Sequence, residues 1–236
     1  MWKIDLPLER IGLEACSLTA WLYDGIREGL PAVCIETRQA NAAMKTMLNK
    51  TDRDDARALA QIMRTGWYRQ VHVKSQQCRL WRSLLVARRT VLNECGPSRN
   101  VVRAILREAG IKARHSKPCS LRRSRARTGA DTVIMALVEP LLAIMAPMLR
   151  EFGRLTKQVL NIARREQVCR RFMSVPGVGP ITALAYRATV DQPDRFRRSR
   201  DVGARLGLTP ARYQSGETHS GQGKPMRCRA RPHGSL

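Results

Sequence analysis

Hydrophobic positions in the first third of the chain switch between a short-run and a helical period. Residues 10–16 (RIGLEAC) form a brief strand-like run. Leu18, Trp21, Leu22, Gly25 and Ile26 then recur at three- and four-residue intervals, which predicts a helix to about Glu28 with Ser17 at its N-cap. Gly29 and Pro31 stop it, residues 32–36 (AVCIE) read as a second strand, and residues 39–48 as a second helix. A third helix is expected over 50–64, with Thr51 or Asp52 near its cap and Gly66 ending it. This β-α-β-α order is the local grammar of an α/β sheet.

From about Gln76 the pattern turns wholly helical. Leu80, Leu84, Leu85 and Leu92 form a stripe to about Glu94, and Gly96-Pro97 is expected to break the helix. A short helix over 101–109 would place Val102, Ile105, Leu106 and Ala109 on one face. Residues 112–131 read as a basic loop, since 112–127 hold seven bases, no acid and no period. Helix resumes over 132–171, with Pro140 and Pro147 dividing or kinking it. The expected architecture is α/β plus all-α: an α/β domain over 1–75, a helical region over 76–170, a further domain over 171–217, and a disordered tail over 218–236.

Composition narrows the class. Aromatics at 5% argue against an all-β sandwich or barrel, and 43% apolar residues suffice for a core. No uninterrupted apolar run reaches 18 residues and no signal-peptide core follows Met1, so no membrane span is expected. Seven scattered cysteines without C-x-x-C spacing suggest a reduced, cytoplasmic protein and no zinc module. The net charge of +24 is unevenly placed, at −1 over residues 1–60 and +25 over 61–236. A surplus of that size calls for a polyanion, and nucleic acid is the commonest one.

Three features carry candidate chemistry. Asp52 and Asp55 stand at i and i+3 on a predicted helix, about 5–6 Å apart at Cβ, a spacing that can clamp Mg²⁺ through oxygen ligands. Asp54 lies off that face. Glu14 sits within an apolar run, where an unanswered carboxylate costs several kcal/mol. Three acids brought together would suit two-metal phosphodiester chemistry. The plainer alternative makes the aspartates helix-dipole acids and pairs Glu14 with an arginine. The second feature is Val175-Pro176-Gly177-Val178-Gly179-Pro180 between two helices, the pattern of a helix-hairpin-helix whose glycines let amides approach a phosphate; a tight αα turn is the alternative. Arg170, Arg171, Arg187, Arg195, Arg197, Arg198 and Arg200 lie nearby, with Arg212 further on, and favour phosphate contact. The third is Ser215, by sequence physics alone an ordinary turn residue.

KTDRDDARALA, the upstream LEAC, the downstream VPGVGPITA and then RFRRSRDVGARLGLTPARYQSGE occur in an order that resembles the DEDD-type bacterial transposases of the insertion-sequence 110 family, relatives of the Piv DNA invertases. The resemblance covers roughly residues 9–217. It implies a partial RuvC-like (RNase H-type) domain, a helical linker and the start of a C-terminal transposase domain. It also implies Mg²⁺ at an acidic tetrad, a serine that joins DNA covalently, a structured guide RNA and a homo-oligomer. The family's Glu falls on Glu14, its paired Asp on Asp52 and Asp55, and its serine on Ser215. The family's first Asp lies several tens of residues before its Glu, whereas 13 residues precede Glu14 here. The expectation is therefore a truncated or frame-shifted copy of a DNA transposase with impaired catalysis. A non-catalytic basic DNA/RNA-binding protein and a metal-dependent junction resolvase are the alternatives.

Overall fold

A computed structural model of the chain describes residues 8–38, 51–111, 132–208, 214–215 and 218–219. Its contacts divide into two units, Met1–Ser75 and Gln76–Leu236. The predicted helix over 39–48, the basic loop over 112–131 and most of the expected tail lie outside the described residues.

In the first unit, strands β1 (Ile11–Glu14) and β2 (Ala32–Ile35) pair in parallel, with Glu14 opposite Ile35. Helix α1 (Thr19–Arg27) connects them. Ser17 does not cap it. The turn is tied instead by Thr19, only 5% exposed, whose hydroxyl donates to the Glu14 carbonyl and accepts from the Cys16 N–H at 2.7 Å. The chain returns antiparallel on the far side of β2, where Glu36 N–H donates to Arg69 O at 3.0 Å and Val71 N–H to Cys34 O at 2.8 Å.

Helix α2 (Asp52–Thr65) begins and ends as its sequence predicts. Thr51 caps it by accepting from the Asp54 N–H at 3.2 Å, and Gly66 closes it at φ +71°, where a Cβ would be strained. Ile62 and Met63 pack with Ile35, flanked by Val33, Leu59 and Tyr68. A Cβ on Gly12 of β1 would lie 2.6 Å from Met63 Cγ, so the missing side chain is what lets helix and strand approach.

The second unit is built on two long helices, α3 (Gln76–Glu108) and α4 (Thr132–Arg165). Cys78 and Trp81 near the start of α3 share a core with Val159 and Ala163 near the end of α4. Val102 and Leu106 near the end of α3 pack with Val138 and Leu142 near the start of α4. The pair is therefore antiparallel. Between these cores, Arg88 donates to Thr156 Oγ1 at 2.9 Å and lies over the Phe152 ring.

Two expectations about this unit are corrected. Gly96-Pro97 does not break α3, which continues through it with Cys95 and Val102 buried on either side. An interior proline costs about 3 kcal/mol in an isolated helix, and core packing on both flanks outweighs it. Of the two outcomes expected at Pro140 and Pro147, division does not occur, since both lie inside α4. That helix ends at Arg165; Glu166 is extended, and a separate helix α5 (Gln167–Met173) follows. By length and composition alone, Val133–Arg165 is also long and apolar enough to cross a membrane. Its buried residues Val138, Leu142, Val159 and Ala163 pack within this unit.

Helix α6 (Pro180–Val190) follows α5, then a 3-10 turn (Pro193–Arg195) and α7 (Ser199–Arg205). Two-residue strands β3 (Gln214–Ser215) and β4 (Thr218–His219) pair antiparallel, so residues 218–219 of the expected disordered tail are strand instead. Backbone pairing across β3 and β4 satisfies amide groups that an unfolded tail would leave to water.

Candidate functional site

The acidic residues of the first unit occupy distinct positions on α2. Asp55, Leu59 and Ile62 stand at i, i+4 and i+7, so Asp55 shares the stripe that packs toward the sheet, with Asp52 one turn earlier beside it. Asp55 is half-buried and Asp52 exposed. Asp54 points elsewhere and is engaged locally, accepting from Thr51 Oγ1 at 2.7 Å and pairing with Arg57 at 3.5 Å. Among the described residues, no ion pair or side-chain hydrogen bond engages the carboxylates of Asp52 or Asp55.

Glu14 is half-buried at the carboxyl end of β1. It lies two residues beyond Gly12 and so on the same sheet face, the one Met63 of α2 covers. No arginine pairs with Glu14 among the described residues. Its carboxylate is near Cys16, whose thiol it pushes upward. The Thr19 hydroxyl, 3.2 Å from Cys16 Sγ, outweighs that push, helped by the Leu18 N–H, and holds the thiol below its ordinary range. Burial raises the Cys34 thiol instead. Among the described residues, no three His, Cys, Asp or Glu side chains form a group that could hold a metal ion, so the structure does not gather Glu14, Asp52 and Asp55 into one cluster. The donor chemistry of Glu14, Asp52 and Asp55 is all hard oxygen, which fits Mg²⁺ and not a soft metal.

In the second unit, α5 and α6 are joined by Ser174–Gly179. Gly177 takes φ +85°, which a side chain disfavours, while Gly179 is extended at φ −83°, ψ 167°. Val178 turns inward against the core of Cys169, Ala183 and Leu184 and fixes the turn to the protein. Pro180 opens α6 with no N–H, and the amides of Ile181 and Thr182 have no acceptor within the helix. Both residues are exposed. An outward turn with free amides and a positive helix end is chemically suited to a phosphate.

The surrounding arginines fall into two groups. Arg170, Arg171, Arg197, Arg198 and Arg200 are exposed. Arg187 and Arg195, counted with the bases near the turn, are turned inward onto the protein's own groups. Arg187 donates to the Asp191 carbonyl, pairs with Glu166 at 3.4 Å and lies over the Trp81 ring. It thereby ties the start of α5 to the end of α6, where Asp191, 5% exposed, adopts φ +60°. Arg195 donates to Val190 O at 3.1 Å and covers the Phe196 ring, and its desolvation, then Arg205, lowers its pKa. The carbonyls are local, four residues from Arg187 and five from Arg195, at the end of α6; the Glu166 pair and the Trp81 ring are the long-range contacts, and those no spacing signals.

Ser215 lies in β3 with its backbone opposite Thr218. Arg212 lies outside the described residues.

Comparison with known proteins defines the class. Residues 10–111, which span Glu14, Asp52 and Asp55, match the DEDD-type transposase model of the IS110 group. Residues 169–233, which span the glycine turn and Ser215, match the transposase IS116/IS110/IS902 family. The chain thus carries two matches to transposase domains of the IS110/IS116/IS902 group, in the same order along the sequence as the acidic residues and the serine. It is similar to the transposase for insertion sequence element IS1111A of Coxiella burnetii, 27% identical over 90% of the chain and 59% of the relative. A Pseudomonas aeruginosa protein named as a family 20 transposase is 32% identical over 90% of the chain and 64% of its own length. The chain thus spans about 60% of the length of these relatives.

Proposed function

We propose that this chain handles the DNA of an insertion sequence, with Glu14, Asp52 and Asp55 holding Mg²⁺ and Ser215 as the nucleophile. One observation carries the metal reading: within one acidic turn, Asp54 is locally paired, while Asp55 sits on the sheet-facing stripe with Asp52 beside it. The sheet face beneath α2 is also the face of Glu14. When bound, the metal supplies positive charge at a phosphate oxygen and polarises phosphorus toward attack.

Glu14, Asp52 and Asp55 would hold that ion through their oxygens and would offset its charge. Ser215 Oγ forms a bond to phosphorus while the bond to one deoxyribose oxygen breaks. The hydroxyl proton passes to solvent and the released oxygen takes one up. The resulting serine–DNA phosphodiester retains the energy of the broken link, so strands can be rejoined without a high-energy cofactor. The glycine turn at Gly177 and Gly179, together with exposed Arg197 and Arg198, holds the DNA backbone without reading sequence. Arg212 is assigned to the same role. A structured guide RNA and a second copy of the chain complete the assembly implied by the family, in the cytoplasm.

The test is a covalent-adduct assay on element-end DNA with Mg²⁺. The adduct is expected with the wild type, lost with Ser215→Ala while DNA binding persists, and lost with Asp55→Asn. An adduct that survives Ser215→Ala removes the serine from its role. Chelator-insensitive DNA binding with no adduct under any condition would favour a non-catalytic binding protein.

A further inference from the structure

The carboxyl end of α2 presents an aromatic ring that nothing in the catalytic reading uses. Gly66 at φ +71° terminates the helix and turns the chain sharply. Tyr68 then faces inward, packed on Ile35, Ile62 and Met63 with its hydroxyl accepting from Arg10. Trp67 faces outward and is 62% exposed. The segment cannot drift, because Arg69 and Val71 are hydrogen-bonded to the edge of β2. A largely exposed indole thus sits on a segment pinned to the sheet edge.

The charge around it decides what it faces. No acidic residue occurs between Asp55 and Glu94, and Arg64, Arg69 and Lys74 flank the ring in sequence. Arg64 and Arg69 are exposed, and Arg69 lies 3.8 Å from Glu36. An exposed aromatic among cations matches a base stacked on the ring with its phosphates answered by the neighbours. We propose that Trp67 is a stacking platform for an unpaired base of a nucleic-acid strand. This rests on the nucleic-acid reading above and extends it from backbone contact to base contact. Asp55 lies near the start of α2 and Trp67 just past its end, with the helix rising about 15 Å from Asp55 to Thr65, so the platform holds the strand and takes no part in the chemistry.

The full-length chain is tested by fluorescence anisotropy against labelled oligothymidylate, oligouridylate and duplex DNA. Trp67→Leu is expected to weaken binding of the single strands by roughly 5- to 150-fold and to leave duplex binding within about twofold, while Trp67→Phe restores most of the loss. The strand that loses affinity, DNA or RNA, identifies the source of the base. A bromouracil-substituted oligonucleotide should photocross-link to the peptide containing Trp67. Unchanged single-strand binding by Trp67→Leu overturns the proposal, as does an equal loss on duplex or a cross-link mapped elsewhere. If the wild type binds none of the three probes, the nucleic-acid reading falls with it; if it binds them and Trp67→Leu does too, only the platform falls.

Discussion

Gly177 and Gly179 stand two residues apart in one turn, yet alanine at the two positions is expected to act in opposite ways. An added Cβ would meet no heavy atom within 4 Å at either glycine, so neither substitution causes a clash. The difference is conformational. Gly177 lies at φ +85°, where a left-handed backbone with a Cβ costs about 1–2 kcal/mol, partly offset by the reduced freedom of alanine in the unfolded chain. Gly177→Ala should therefore destabilise the second unit by about 1 kcal/mol. Gly179 lies at φ −83°, which alanine adopts freely, so Gly179→Ala should stabilise by roughly 0.4–1 kcal/mol. Its methyl would stand where a phosphate must approach the amides of α6. Losing one hydrogen bond to a charged group costs about 1.5–3 kcal/mol, or roughly tenfold or more in affinity. Urea unfolding followed by far-ultraviolet circular dichroism, which reads the helices that dominate the second unit, beside anisotropy with labelled duplex DNA, separates the two effects. A Gly179→Ala variant that is more stable and weaker on DNA supports the turn as a phosphate cradle. Wild-type affinity for that variant would reduce the motif to a plain αα turn.

Three further outcomes follow from the same geometry. Arg171→Gln should flatten the dependence of log K on log salt by about 0.9 for each lost phosphate contact, whereas Arg195→Gln should leave that slope unchanged and lower the melting temperature, both read by titration at several salt concentrations. Thr19→Val should cost about 1–3 kcal/mol in urea unfolding, because the Cys16 N–H and Glu14 carbonyl lose a buried partner, while Thr19→Ser keeps both bonds. Alkylation mapped by mass spectrometry should find Cys16 reacting on the acid side of a free thiol and Cys34 on the alkaline side. Thiolate grows with pH and is the reacting form, and the two thiols are shifted in opposite directions.

What could be read from the sequence follows the range of the interaction responsible. The limits of α2 were legible because Thr51 and Gly66 act within a turn of the helix they bound. The two strands were legible because β-forming runs lie between clear breakers. Pro97 misled because its penalty is local, while the packing that overrides it joins residues some forty positions apart along the chain. The face carrying Val102 and Leu106 was nevertheless correct, since periodicity reports burial even where a break is misjudged. Among the functional candidates, composition showed that arginines crowd the glycine turn. The folded backbone shows that Arg187 and Arg195 serve carbonyls four and five residues away at the end of α6, while Arg171 and Arg198 face outward. Thr19 and Trp67 carried no motif at all: one is defined by being buried, the other by being left in the open.

The most direct test of the account is a Mn²⁺ titration of the full chain followed by electron paramagnetic resonance, with Mn²⁺ standing in for Mg²⁺. The account predicts a bound-ion signal that is displaced by Mg²⁺, lost with Asp55→Asn and with Glu14→Gln, and kept with Asp54→Asn. A signal indifferent to Asp55 and Glu14, or lost with Asp54→Asn alone, would contradict it.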